Sequence, residues 1–258
     1  MLDDYKAVMP LTWNSKYGIR YLYQPFLTAQ LGVFGKHITE EQVGLFVQNI
    51  PSSFRLIEIS LNSGNILSTP GGFAIHRSNY VLHLNSTYEE LYKKYSENIQ
   101  RNIKRSIQSG SVVQKNIDVE QLIGLAVQQM RTQNNESADN VNRFRKLYQF
   151  LSEKQMATTY GIRSAEGELL ASCAFFFSHD RAYYILVGNH PAGRNTGASH
   201  ALIDGFIKDN AGKKLVLDFE GSDIPTLAAF YRGFGAVNEP YPALRINRLP
   251  FYLKWMKR

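Results

Sequence analysis

The stretch RAYYILVGNHPAGRNTGASH, residues 181–200, decides the fold. Its first half is an apolar run rich in aromatic and β-branched residues, the pattern of a buried strand. The second half turns through Asn189, His190 and Pro191 and reaches the run Arg194-Asn195-Thr196-Gly197-Ala198-Ser199. Small residues behind an arginine at a helix start suit an anion. The first turn of a helix offers unpaired N–H groups and a partial positive charge to phosphate oxygens. Gly197 would let the anion approach closely, Arg194 adds a cation, and Thr196 or Ser199 adds a hydroxyl donor. The plainer alternative is an ordinary turn that needs glycine for its backbone angles.

Working outward, LVLDFEGSDIPTLAAFYRGFGA (215–236) predicts a second strand and a helix that carries Tyr231 ahead of Gly235. Asp218 and Glu220 alternate with Phe219 at the end of that strand, so both are expected on one side. The C-terminal ends of strands in α/β sheets open into ligand crevices. One carboxylate, with Glu220 the stronger candidate, is then a possible proton acceptor while the other caps the next helix. Asn189 and His190, at the mouth of the neighbouring strand, are rival proton acceptors or substrate contacts. Tyr231, one of 15 tyrosines, is equally open to a packing role.

Between Gly110 and the C-terminus the elements fall in a regular order. SVVQKN (111–116) reads as a strand, and DVEQLIGLAVQQMRTQ and VNRFRKLYQFLSEKQ as helices separated by a polar loop at 134–140. Strands at 157–163, 168–178 and 181–188 follow. After them come a helix near 197–210, a strand at 214–219, a helix near 224–234 and a last strand near 237–247. Upstream, YKAVMPL, GIRYLYQPFL and FRLIEISL read as strands. A helix lies between them, with Thr39 and Gln42 forming a capping box. Thr87 with Glu90 opens a long helix in which Leu91, Tyr95, Ile99, Ile103 and Ile107 recur every four residues, ended by Ser109-Gly110.

This order resembles the GNAT superfamily of N-acetyltransferases. In that family a loop of the form Gln/Arg-x-x-Gly-x-Gly/Ala binds the pyrophosphate of acyl-CoA. Arg194-x-x-Gly197-x-Ser199 is similar, with serine at the last small position. The family's following helix carries a tyrosine, and Phe230-Tyr231-x-x-x-Gly235-Ala236 fits that spacing with alanine for a final phenylalanine. The helix ENIQRNIKRSIQSG is similar to a basic segment ahead of the second lobe in Fem-type aminoacyltransferases and their BioF-associated relatives.

The resemblance implies a layered α+β fold: two tandem GNAT-like lobes, each with a mixed, mostly antiparallel sheet flanked by helices. A reduced N-terminal lobe would span 1–95 and an acyltransferase lobe 96–258. It also implies an N-acyltransferase that uses acetyl-CoA or a related acyl-CoA as co-substrate, with direct attack by a small-molecule or peptide amine. Backbone N–H groups near Leu186–Gly188 would polarise the carbonyl, and Tyr231 would protonate the departing thiolate. Two alternatives stay open: aminoacyl transfer from a charged transfer RNA held by the basic helix, and a non-catalytic binding module. Trp13, Tyr21, Tyr23 and Gln24 are candidate acceptor contacts in a groove between the lobes.

Composition narrows the class. A formal charge of +7 and a pI near 9.3 suit an anionic partner such as a phosphorylated cofactor or a nucleic acid. The excess gathers in Lys93, Lys94, Arg101, Lys104, Arg105 and the tail Lys254, Lys257 and Arg258, which can equally be a solvated face and a frayed end. No stretch is long and apolar enough for a membrane span, no secretory signal is visible, and the single cysteine, Cys173, lies in an apolar strand. A cytoplasmic location is expected. CxxC, HExxH, G-x-S-x-G and GxxxxGK[ST] patterns are missing, so no metal is expected, and Gly221-Ser222 reads as the start of a helix.

Overall fold

The computed structural model describes residues 5–67, 74–131, 138–221 and 223–253. Positions 134–137 of the polar loop, Ser222, and the basic tail Lys254, Lys257 and Arg258 lie outside the described residues. The chain divides into two compact units, residues 1–79 with 239–258, and residues 80–238.

The first unit runs β1 (Ala7–Val8), β2 (Trp13–Lys16), β3 (Ile19–Leu22), β4 (Phe34–Gly35), α1 (Glu40–Gln48), β5 (Phe54–Ser60) and β6 (Ala74–Arg77). Thr39 and Gln42 form the expected capping box at α1. Asn65 ties the unit together from inside: its Oδ1 accepts from the Val33 N–H at 2.8 Å and its Nδ2 donates to the Val33 carbonyl at 2.9 Å.

The second unit runs β7 (Tyr80–His83), α2 (Tyr88–Lys93), α3 (Glu97–Gln108), β8 (Val112–Lys115), α4 (Val119–Arg131), α5 (Ala138–Glu153), β9 (Ala157–Arg163), β10 (Leu169–Ser178), β11 (Arg181–Asn189), α6 (Pro191–Thr196), α7 (Ala198–Asn210), β12 (Val216–Asp218), α8 (Pro225–Arg232) and β13 (Val237–Asn238). Its seven strands make one sheet in the order β13-β7-β12-β11-β10-β9-β8, antiparallel except where β11 meets β12. β14 (Tyr241–Asn247) returns to the first unit and completes a five-stranded sheet, β2-β3-β5-β14-β6.

Three expectations change. The units part at Asn79–Tyr80, not at 95–96, because β7 pairs with β12 and β13 and brings α2 with it. The predicted last strand is two strands in two sheets, separated at Glu239–Pro240. The predicted long helix is also two, because Ser96 leaves helical geometry (ψ 154°) and caps α3 by accepting from the Ile99 N–H. The four-residue apolar period therefore crosses a break, and Ile107 at its end is 65% exposed.

The core of the second unit is aromatic. Phe175 of β10 and Phe206 of α7 are fully buried and stack with centroids 3.7 Å apart, and Tyr160 meets both edge-on. Phe206→Ala is expected to cost about 3–5 kcal/mol, as for a large aromatic removed from a close-packed core, measured by denaturant unfolding of the intact chain.

Candidate active site

β11 is the element on which the site is built. Across β10 the partners run Ser172↔Gly188 and then Ala174↔Ile185, so Leu186 and Val187 together oppose Cys173. This two-against-one count is a β-bulge. Leu186 sits at its centre with φ 47°, in the left-handed region that bulky side chains avoid. On the other side, β12 pairs only with Arg181, Ala182 and Tyr183. From Tyr184 onward that edge of β11 has no strand partner among the described residues. An extended ligand can therefore lie along it as an added strand, with bulge N–H groups re-aimed beside it. Gly188 has a packing reason as well: a Cβ there would meet the Ala126 nitrogen of α4 at 2.7 Å.

The carboxylates do not share a side as the alternation predicts. β12 ends at Asp218, whose buried Oδ2 pairs with Arg181 at 2.6 Å while its Oδ1 accepts from the Glu220 N–H at 2.9 Å. Glu220 and Gly221 both take positive φ (62° and 81°), so the strand geometry stops before Glu220. Asp218 is therefore occupied in holding the turn, and Glu220 is half-buried just beyond the strand end.

Tyr231 of α8 is 8% exposed and stacks on Phe219 at 4.4 Å, with Tyr80 tilted against it at 6.3 Å. Burial pushes its phenol up to about 12. Tyr184, the residue at which β11 parts from β12, meets Phe219 edge-on, and burial raises its pKa as well.

The run 194–199 is not an open turn. Residues 191–196 form α6, capped by His190, whose Nδ1 accepts from the Ala192 N–H at 3.4 Å. Its Nε2 lies 3.4 Å from Glu168. His190 is thus committed to a helix end, which answers its candidacy as a proton acceptor. Gly197 takes φ 77° between α6 and α7, and a Cβ on it would come within 2.3 Å of the Asn102 carbonyl oxygen of α3. The close approach this glycine permits is to a neighbouring helix. Ala198 is fully buried, the Thr196 hydroxyl donates to the Gly193 carbonyl, and Ser199 donates to Asn189, which also binds Gln129. Arg194 and Asn195 alone of the six are exposed, and the Asn195 carbonyl accepts from Arg105 Nη1 at 3.3 Å. The side of Gly197 on which a Cβ would stand is filled by α3.

Residues 93–224 match the acetyltransferase (GNAT) domain. The chain belongs to that family. A search of curated proteins returns no match. Among solved structures, the chain is similar to FemX at 11% identity and a TM-score of 0.63, covering 98% of this chain and 87% of that one. It is similar to L-PGS from Bacillus licheniformis at 9% identity and a TM-score of 0.58, covering 98% and 85%. At these identities the likeness is one of fold, and it extends over both units. The Fem-type likeness expected from α3 is, at the level of fold, one of the whole chain.

For this GNAT member the cations lie one helix away from the family's loop. Arg101, Lys104 and Arg105 line a shallow groove of about 440 Å³ along the outer face of α3, beside the exposed Arg194-Asn195 turn. The sequence marks that helix as basic, but nothing in the spacing of Gly197 says that α3 lies on it. His200 of α7 is packed edge-on against Phe230, and burial together with Arg105 lowers its pKa to about 4. The unfolded chain, with His200 near 6.5, then binds the proton more readily between those values. Stability should accordingly fall as the pH drops from about 6.5 toward 4, and His200→Gln should flatten that part of the profile; thermal melts across the window measure both. Gly197→Ala is expected to destabilise by at least 1–2 kcal/mol from the left-handed backbone alone, read as a lower denaturant midpoint.

Proposed function

We propose that the chain transfers an acyl group from a phosphate-bearing donor to an amine, with an acyl-CoA as the first reading of that donor. The observation that carries the proposal is the bulged, half-unpaired β11 opening from β12 next to a buried phenol. The donor's extended arm lies along the free edge of β11, and the bulge near Leu186–Gly188 turns N–H groups toward the acyl carbonyl, where oxyanion charge develops. The amine nitrogen attacks that carbon and the bond to the leaving sulfur or oxygen breaks. Glu220 accepts the amine's proton, and the Tyr231 phenol donates to the leaving atom. The phosphates rest on Arg101, Lys104, Arg105 and Arg194, the exposed cations along α3 and the neighbouring turn.

A second reading, a charged transfer RNA as donor, draws support from Tyr231 itself. A phenol near 12 is a weaker acid than a thiol near 8.5. Toward a thiolate it therefore serves as a hydrogen-bond donor only. Toward the far more basic alkoxide released from an aminoacyl ester it can complete the proton transfer. The long basic face of α3 suits an RNA backbone equally well. The acceptor is a small-molecule or peptide amine under both readings.

Calorimetric titration separates them. Saturable binding of acetyl-CoA, weakened about ten-fold or more when Arg101, Lys104 and Arg105 are changed to glutamine, supports the first. Binding of a transfer RNA whose affinity falls steeply with salt supports the second. Absence of both removes the transfer reading and leaves a binding module. With whichever donor is active, Tyr231→Phe should lower kcat by about 10²- to 10⁴-fold with little change in donor affinity, while the melting temperature stays near wild type.

A further inference from the structure

The first unit carries a pocket that the transfer chemistry above does not use. It opens beside β3 and β5, where Tyr21 and Leu56 are register partners, and Leu22 of the unit's core also lines it. Tyr17, Tyr21, Tyr23, Leu56 and Leu249 line it, and its charged lining residues among those described are Glu58 and Lys16. Its volume of about 370 Å³ is at the small end of ligand pockets, the size for one small molecule or one side chain. The hairpin and the β3–β5 register place the tyrosines, Tyr17 on an exposed turn. Tyr17 and Gly18 both take positive φ (52° and 75°), the two-residue turn that suits a twisted hairpin, and the flanking pair Lys16↔Ile19 closes β2 on β3. Tyr21 is then set beside Leu56 by the β3–β5 register, and its ring lies 6.0 Å from that of Tyr23.

What such a pocket receives follows from where the chain puts its own cations. The Lys16 ammonium lies 5.4 Å from the centre of the Tyr17 ring, and the Arg245 guanidinium lies 3.6 Å from Glu58. Each goes to an acceptor of the pocket. Aromatic faces carry negative charge and attract ammonium groups, more so when a carboxylate stands beside them. The Arg245–Glu58 pair is solvent-exposed on both sides and of the kind that contributes about 0–1 kcal/mol, so a ligand ammonium can share that carboxylate with Arg245. We infer that this tyrosine-walled pocket is a binding site for a primary ammonium carried on an apolar stem, with the stem on Leu56 and Leu249 and the charge among the tyrosine faces and Glu58. The inference stands apart from the acyl-transfer proposal, since every residue it uses lies in the first unit.

The test uses the full chain and two probes of equal shape, n-pentylamine and n-pentanol, titrated at constant ionic strength and followed by the tyrosine resonances or by calorimetry. The expected result is saturable binding of the amine, about ten-fold tighter than the alcohol. Glu58→Gln and Tyr21→Leu should each weaken it several-fold, and Lys16→Met, which removes a competing cation, should tighten it. Glu58→Gln changes an exposed side chain without altering its shape, so its effect is read on a folded protein, checked by circular dichroism. Equal binding of amine and alcohol, an amine affinity unmoved by both Glu58→Gln and Tyr21→Leu, or no saturation would overturn the inference. Loss of acyl transfer with amine binding intact would count against the proposed function alone.

Discussion

One backbone contact governs the second unit: the carbonyl of Asn102 stands where a side chain on residue 197 would have to be. Only glycine lets α3 come that close, and only because α3 is that close do its cations reach the turn at Asn195. The same approach buries Ile99 and Ile103 and presses Arg105 toward His200. The contact thus brings the outer face of α3, the surface proposed above for the donor's phosphates, beside the exposed turn at Arg194 and Asn195.

Apart from the short helix α6, order and type of elements were legible in the sequence from β8 to α8, because the longer elements show one of the two periodicities and are bounded by turn residues. The capping boxes at Thr39 and Thr87 were legible too, being local by construction. What escaped was non-local. Nothing near Lys94 announces that Ser96 will cap a new helix, since apolar residues continue on schedule through the break. The short strands β6 and β7 carry too few residues for a period to show. The split between β13 and β14 depends on which sheet each joins, a matter of pairing and not of composition.

The site shows the same division. Leu186 and Gly188 were placed on the right strand, yet the bulge that gives Leu186 its significance arises from register with Cys173, which lies thirteen residues upstream of it in the sequence. Asp218 and Glu220 were expected on one side because alternation assumes a strand that continues; the turn at Glu220 ends the strand at Asp218, which pairs with Arg181. Tyr21 and Tyr23 were singled out and do line a pocket, whereas Trp13 packs on Phe54 under Arg20, and Gln24 is spent on Thr28 and Ser60.

The return of β14 to the first unit has a consequence for synthesis on the ribosome. β6 meets its sheet only through β14, which lies between it and β5. The N-terminal portion therefore emerges first but is missing an interior strand until residue 247 has been made. The second unit, contiguous in sequence, has no such wait. Vectorial order and folding order run opposite to each other here: the inserted unit can close while its host is still an open sheet with an unpaired edge, the condition under which strands find wrong partners.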